Sequence, residues 1–235
     1  MKKALIIYGG WEGHDPKESS DIVSGQLKER GFEVELSDTL DRLTQGDLKQ
    51  HDLIIMMWTM GKIEREQLTP LLEAVRSGVG LAGWHGGLCD AFRMEVEYQF
   101  MTGGQWVAHP GGVVPYDVYI TEEHPITDGV PRKFHMESEQ YYMHVDPAVQ
   151  VLGVTLFGDV QMPIAWIKRY GKGRVFYTSL GHVKSDVAQA EPLKLIVQGC
   201  VWASEKDGDD ELFFHRYPIL KKAWGLEQEV DPEDH

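Results

Sequence analysis

The sequence predicts an α/β fold with a mainly parallel central sheet and helices on both of its faces. Three observations carry this expectation. Short apolar runs alternate with segments of helical periodicity through residue 90. The run at residues 53–58, Leu-Ile-Ile-Met-Met-Trp, is apolar without interruption, as a strand buried on both faces must be. Glycines stand just past the ends of the helical segments, where a chain leaves a helix.

Taken in order, residues 4–8 form a buried strand closed by Gly9 and Gly10. Asp15-Pro16 starts a helix with Ile22, Val23 and Leu27 at helical spacing and Gly31 as its stop. Residues 32–36 alternate and make a second strand, and residues 53–58 a third. Residues 65–77 are helical, with Leu68, Leu71, Leu72 and Val75 on one side and Gly78 at the end. A fourth strand follows at residues 79–84. The second half is less regular. Strands are expected at residues 116–121 and 149–156, a hairpin at 163–170 and 174–180 around Gly171-Lys172-Gly173, and a helix at 193–203.

Composition bounds the function. The chain has 235 residues, 42% of them hydrophobic, which is ample for a buried core. Its net charge of −14 argues against a nucleic-acid or anionic-membrane surface. No stretch reaches the roughly 20 apolar residues of a membrane span. The basic start and short apolar run at the N-terminus read as a first strand, not a signal peptide, so a soluble cytoplasmic protein is expected. Cys89 and Cys200 are the only cysteines and lack metal or disulfide spacing; Cys89 is expected to be buried and inert. Residues 1–204 form one α/β domain. Residues 205–235 form an acidic and aromatic extension. Asp207, Asp209, Asp210 and Glu211, then Glu227, Glu229, Asp231, Glu233 and Asp234, supply its charge. Leu212, Phe213, Phe214, Tyr217, Ile219, Leu220 and Trp224 would pack on the body or, in a homo-oligomer, on a second copy.

The chemistry concentrates at Gly83-Trp84-His85-Gly86-Gly87. A strand delivers His85 to a tight strand-to-helix turn, the elbow that elsewhere presents a nucleophilic Ser or Cys. Ligands in open α/β sheets sit beyond the carboxyl ends of strands. His14, His85 and His182 all fall at such ends. A glycine-bounded segment, 103–112, reads as a loop carrying Gln105, Trp106 and His109. Segment 135–144 mixes acid, amide, phenol and imidazole, and includes Glu139, Tyr141 and Tyr142. If extended, it puts Glu137, Glu139 and Tyr141 on one face. Imidazoles with one carboxylate suit zinc or a similar divalent metal, and equally suit metal-free acid–base work. No HExxH or compact His-x-His spacing chooses between them. His124 reads as a turn residue, and His51, His215 and His235 as solvent residues.

Further matching stretches are Gly103 through Gly111, His124-Pro125-Ile126-Thr127-Asp128-Gly129, Ser138 through Tyr142, Met162 through Trp166, and Gly171 through His182. With the elbow, they resemble the ThuA-like family, named for trehalose utilisation, over most of residues 1–204. The resemblance implies a flavodoxin-like three-layer sandwich related to class I glutamine amidotransferases. In those relatives the elbow holds a Cys of a Cys-His-Glu triad. Here it holds His85, so amidotransferase chemistry is not expected.

The expectation is an enzyme acting on a sugar or keto-sugar. His85, His109, Glu139 and His182 would be catalytic, with Glu139 the base. Trp84, Trp106, Gln105, Tyr141 and Tyr142 would hold the sugar. A divalent metal, zinc foremost, would sit on His85 and His14, with no nucleotide cofactor. The alternative is a non-catalytic sugar-binding or regulatory protein that kept the scaffold without the cysteine.

Overall fold

The computed structural model describes residues 1–206 and 210–226. Strand–helix units build the first half: β1 (Lys2–Gly10), α1 (Pro16–Glu29), β2 (Phe32–Ser37), β3 (Leu53–Thr59), α2 (Arg65–Ser77) and β4 (Gly80–Trp84). One distorted turn, α3 (Gly86–Cys89), and α4 (Val96–Thr102) follow. The second half holds β5 (Gly104–Ala108), β6 (Val113–Ile120), β7 (Lys133–Glu139), β8 (Tyr142–Val145), β9 (Gln150–Phe157), β10 (Val160–Tyr170) and β11 (Gly173–Thr178). It ends in α5 (Lys184–Val187), α6 (Ala190–Ala203), α7 (Glu211–Arg216) and α8 (Pro218–Ala223).

Among the described residues the main sheet has nine strands, in the order β2-β1-β3-β4-β11-β10-β9-β6-β7. β1 to β4 and β11 pair in parallel. Antiparallel pairings continue from β11 through β10, β9 and β6 to β7. Only β10 and β6 oppose the common direction, so the sheet is mostly parallel, with helices packed on it. The change of pairing follows from the connections. Crossovers of a dozen residues or more return a strand parallel, whereas two-residue turns cannot. Gly158-Asp159 and Gly171-Lys172 are such turns, and their glycines take φ of +62° and +59°. β10 slips register on β9 around Pro163 and Ala165, a bulge that bends the strand.

Alternation along the strands feeds two apolar cores. Leu5, Ile7, Ile54, Met56 and Leu81 meet Leu68, Leu71 and Val75 of α2 on one face. Ala4, Ile6, Ile55, Met57 and Ala82 meet Val23 and Leu27 of α1 and Leu195, Ile196 and Cys200 of α6 on the other. This burial also explains how α2 tolerates Pro70. An interior proline costs about 3 kcal/mol, and each buried leucine or valine returns roughly 1.5–3 kcal/mol.

Two expectations need correction. Segment 103–112 is not simply a loop, because residues 104–108 pair antiparallel with β8 in a separate two-stranded ribbon. Glycine excluded a central strand but not a short ribbon, where one edge stays open. His51 is buried, not a solvent residue; its Nδ1 lies 3.2 Å from the Leu48 carbonyl oxygen. His215 is exposed. Both cysteines are buried, and burial pushes their thiols far above the usual range.

The C-terminal segment lies against the first core. Phe213 and Phe214 are buried in it, and Phe213 stacks on Trp224 with ring centroids 5.2 Å apart. Tyr217 donates its hydroxyl to Asp146, which also pairs with buried Lys168 at 2.6 Å. Asp207, Asp209, Glu227, Glu229, Asp231, Glu233, Asp234 and His235 lie outside the described residues. Among the described residues no helix is long and apolar enough to cross a membrane.

Candidate functional site

Four imidazoles surround one carboxylate beyond the carboxyl edge of the parallel strands. His14 arrives on the short helical turn Glu12–His14 after β1, His85 directly after β4, and His182 after β11. His109 follows β5 of the ribbon. Glu139 is the last residue of β7, where inward Phe134, Met136 and Ser138 alternate with outward His135 and Glu137.

The distances are short. Glu139 Oε2 lies 3.2 Å from His85 Nε2 and 3.9 Å from His14 Nε2. Its Oε1 lies 3.6 Å from His182 Nε2 and 3.8 Å from His109 Nδ1. One donor atom each from His14, His85, Glu139 and His182 falls within 4.8 Å of all the others. His85 has no exposed surface, whereas the His109 side chain is 38% exposed and forms the open side.

The elbow presents its side chain under strain. His85 has φ of +49° and ψ of −126°, a sparsely populated positive-φ conformation that costs a non-glycine residue about 1–3 kcal/mol. Surrounding bonds hold it there. Its N–H donates to the Thr178 carbonyl at 2.7 Å, and its carbonyl accepts from the Tyr177 hydroxyl at 2.7 Å. Its Nδ1 meets the Ser179 carbonyl at 2.8 Å. A carbonyl only accepts, so Nδ1 carries a hydrogen, and Nε2 is the ring atom turned to the Glu139 carboxylate, at 3.2 Å. The flanking glycines do serve packing. A Cβ on Gly86 would stand 2.6 Å from His14 Nδ1 and Thr59 Oγ1, two atoms that meet each other at 3.0 Å.

Electrostatics favour neutral His14 and His182 beside an ionised Glu139. Burial, followed by the neighbouring His85 and His182, lowers His14 to about 3. Burial and His85 also lower His182. Burial alone would raise Glu139, but the His85 hydrogen bond and the imidazole charges hold it at about 2.

The remaining residues divide. The buried Tyr141 ring lies 4.0 Å from His85 and roughly parallel to His109. Trp106 contacts His109 and Tyr141, and the Arg93 guanidinium covers its ring at 4.4 Å. Gln105 bonds the Arg93 carbonyl beside them. Tyr142 packs instead on Phe157, at 5.3 Å, and takes no part in the ring contacts of the cluster. Trp84 must be corrected. It is fully buried beneath the elbow and has no face for a sugar. A strand interior buried on both faces gives that result, whatever the residue. A hollow of about 700 Å³ lined by Glu122, His124, Asp128 and Arg132 shares no residue with the cluster; chemistry, not volume, marks the site. Sequence reading missed Thr59 and Ser179, which bond imidazoles, and Arg93, which pairs with Asp90 and covers Trp106, since such partners carry no spacing signal.

A model of the trehalose-utilisation family ThuA matches residues 3–203. The chain belongs to the ThuA family. Its fold is shared with a ThuA-like protein of Bacteroides uniformis, at TM-score 0.74 and 19% identity, over 90% of this chain and 95% of that one. A ThuA-like protein of Parabacteroides merdae matches at 0.72 and 18%, over 89% and 91%. A Salmonella typhimurium protein described as cytoplasmic matches at 0.62 and 15%, over 86% and 100%. No curated protein matches the chain significantly. In this ThuA protein the matched span contains all five site residues and excludes α7 and α8.

Proposed function

We propose that this ThuA protein is a cytoplasmic enzyme of carbohydrate utilisation acting on a sugar or keto-sugar, on a flavodoxin-like three-layer scaffold. Its centre holds a divalent cation, zinc foremost, on His14, His85, His182 and Glu139. The observation that carries this reading is the convergence of three imidazole Nε2 atoms on one ionised carboxylate at 3.2–3.9 Å. Zinc–ligand bonds of about 2.0–2.1 Å set tetrahedral donor atoms about 3.4 Å apart, and these donors, all within 4.8 Å of one another, are of the right type and close to that spacing. Thr59 Oγ1 and the Ser179 carbonyl on the two Nδ1 atoms are the outer partners that orient metal-binding imidazoles. A bound cation would polarise a carbonyl or activate water.

The other residues divide the remaining work. Glu139, held among four imidazoles, serves better as an anchor than as the base. The proton-transfer role passes to His109, whose buried Nδ1 has no hydrogen-bond partner among the described residues. In proton abstraction beside a ketone, the C–H bond breaks, the proton moves to His109, and the electron pair forms the enolate. Hydrolysis of a keto-glycoside would use the same base on water. Trp106 and Tyr141 wall the approach.

The test is metal analysis of purified protein together with turnover of a keto-sugar panel, before and after chelation. One zinc per chain and chelation-sensitive turnover are expected. Full turnover by His85→Ala would overturn the reading, and sugar binding without any new product would point to a binding protein.

A further inference from the structure

We infer that Asp186 is a positioning residue of the proposed metal centre, supplying a second buried negative charge and tying Glu139 to His182. The inference rests on the metal-centre reading. β7 turns Phe134, Met136 and Ser138 inward, and Ser138 is the polar exception in that row, 1% exposed. Its hydroxyl donates to Asp186 Oδ2 at 2.5 Å, the length of a charge-assisted bond. The other Asp186 oxygen accepts from Gln189 at 3.3 Å.

Asp186 is itself 6% exposed, and no basic side chain among the described residues pairs with it. A buried carboxylate with only neutral partners is costly to desolvate. The first turn of α5 suits an acid, but its position beside the cluster gives a second reason to keep one there. Ser138 immediately precedes Glu139, and α5 begins two residues after His182. One hydrogen bond therefore joins the element carrying the carboxylate to the element carrying an imidazole. Tyr116 closes the arrangement by aiming its hydroxyl at the Glu139 carbonyl, at 3.5 Å. Charge balance agrees. Three neutral imidazoles and Glu139 leave a divalent cation with one positive charge, and Asp186 offsets it from outside the ligand set. The other buried acid near the elbow, Asp90, is already neutralised by Arg93 at 2.6 Å.

Calorimetric zinc titration of wild type, Asp186→Asn and Ser138→Ala tests this, with thermal melts of the metal-free proteins alongside. Asp186→Asn keeps an acceptor for Ser138 but removes the charge; Ser138→Ala keeps the charge but cuts the tie. The expected result is one zinc per chain throughout, with affinity weakened about 10–100-fold in Asp186→Asn and less in Ser138→Ala, over and above any lowering of the metal-free melts. If Asp186→Asn does not fold, the zinc affinity of Ser138→Ala decides the matter. Equal affinities in wild type and the folded variants would overturn the inference alone. A wild type that binds no zinc would overturn the metal-centre reading and this inference with it. Lower melting with unchanged affinity would mark a purely structural pair and also overturn it.

Discussion

His85 Nδ1 donates to the Ser179 carbonyl at 2.8 Å, and this single bond decides what the elbow can do. It fixes the hydrogen on the far side of the ring from Glu139. The near side is left with one ring nitrogen facing a carboxylate oxygen, which only accepts, at 3.2 Å. A contact that close calls for a cation on the line between them, a proton carried by the ring or a metal. The strained backbone of His85 holds the ring in this orientation.

Gly86→Ala is expected to disable the centre without touching any donor atom. The new Cβ would collide with His14 Nδ1 and Thr59 Oγ1 at 2.6 Å. Overpacking of this kind costs about 1–3 kcal/mol. A lowered melting temperature and loss of zinc by metal analysis check it. A Gly86→Ala protein with full zinc content and a wild-type melting temperature would overturn this prediction.

His109→Ala should separate chemistry from metal binding. Its Nδ1 lies outside the tight donor group and has no hydrogen-bond partner among the described residues. Zinc content should stay at the wild-type level. Turnover of a keto-sugar should fall about 10²–10⁴-fold, the usual range for loss of an acid–base group. Added imidazole should restore part of it.

Arg93→Ala is expected to destabilise the protein in a pH-dependent way. Burial raises Asp90, and the Arg93 hydrogen bonds oppose that rise. Without Arg93 the carboxylate would be a buried, unpaired charge, which costs about 3–5 kcal/mol. A raised folded-state pKa means the folded protein binds the proton more tightly than the unfolded chain. The penalty is therefore full above the folded pKa and is relieved as pH falls towards the unfolded value. Urea melts should show a larger deficit against wild type at pH 8 than at pH 5. Trp106 fluorescence should also change, because the guanidinium leaves its ring.

Phe213→Ala should cost about 3–5 kcal/mol, as expected for a fully buried phenylalanine. Denaturant melts measure this directly. Zinc affinity should remain at wild type, because Phe213 packs in the aromatic cluster with Tyr170 and Trp224, outside the donor group. A loss of affinity equal to that of Gly86→Ala would mean that the C-terminal segment reaches the site.

Much of the first half was legible because its strands are continuous apolar runs and its helices stop at glycine. The same logic placed His14, His85 and His182 at strand ends. Glu139 was visible only as part of a polar segment, since β7 is exposed on one side and its alternation looks like disorder of composition. Trp84 and Tyr141 show why residue type misleads. Both are aromatic neighbours of polar groups, yet Trp84 sits under the elbow in the core and Tyr141 lies against His85. Asp186 could not be read at all. Its partner Ser138 is 48 residues away, and only the fold joins them.

The order of strands makes the 3.2 Å approach of Glu139 to His85 a statement about curvature. β7 lies five pairing steps from β4, and a flat sheet would hold them roughly 24 Å apart. The antiparallel half must therefore curl until its outermost strand reaches the parallel half, and the bulge in β10 lies on the path between them. From β10, three pairing steps or about 14 Å from β7, one degree of bend moves the far end by about 0.25 Å. Residues around Pro163 and Ala165 thus work like the spring of a clasp, setting how tightly the jaws close on whatever Glu139 and His85 hold.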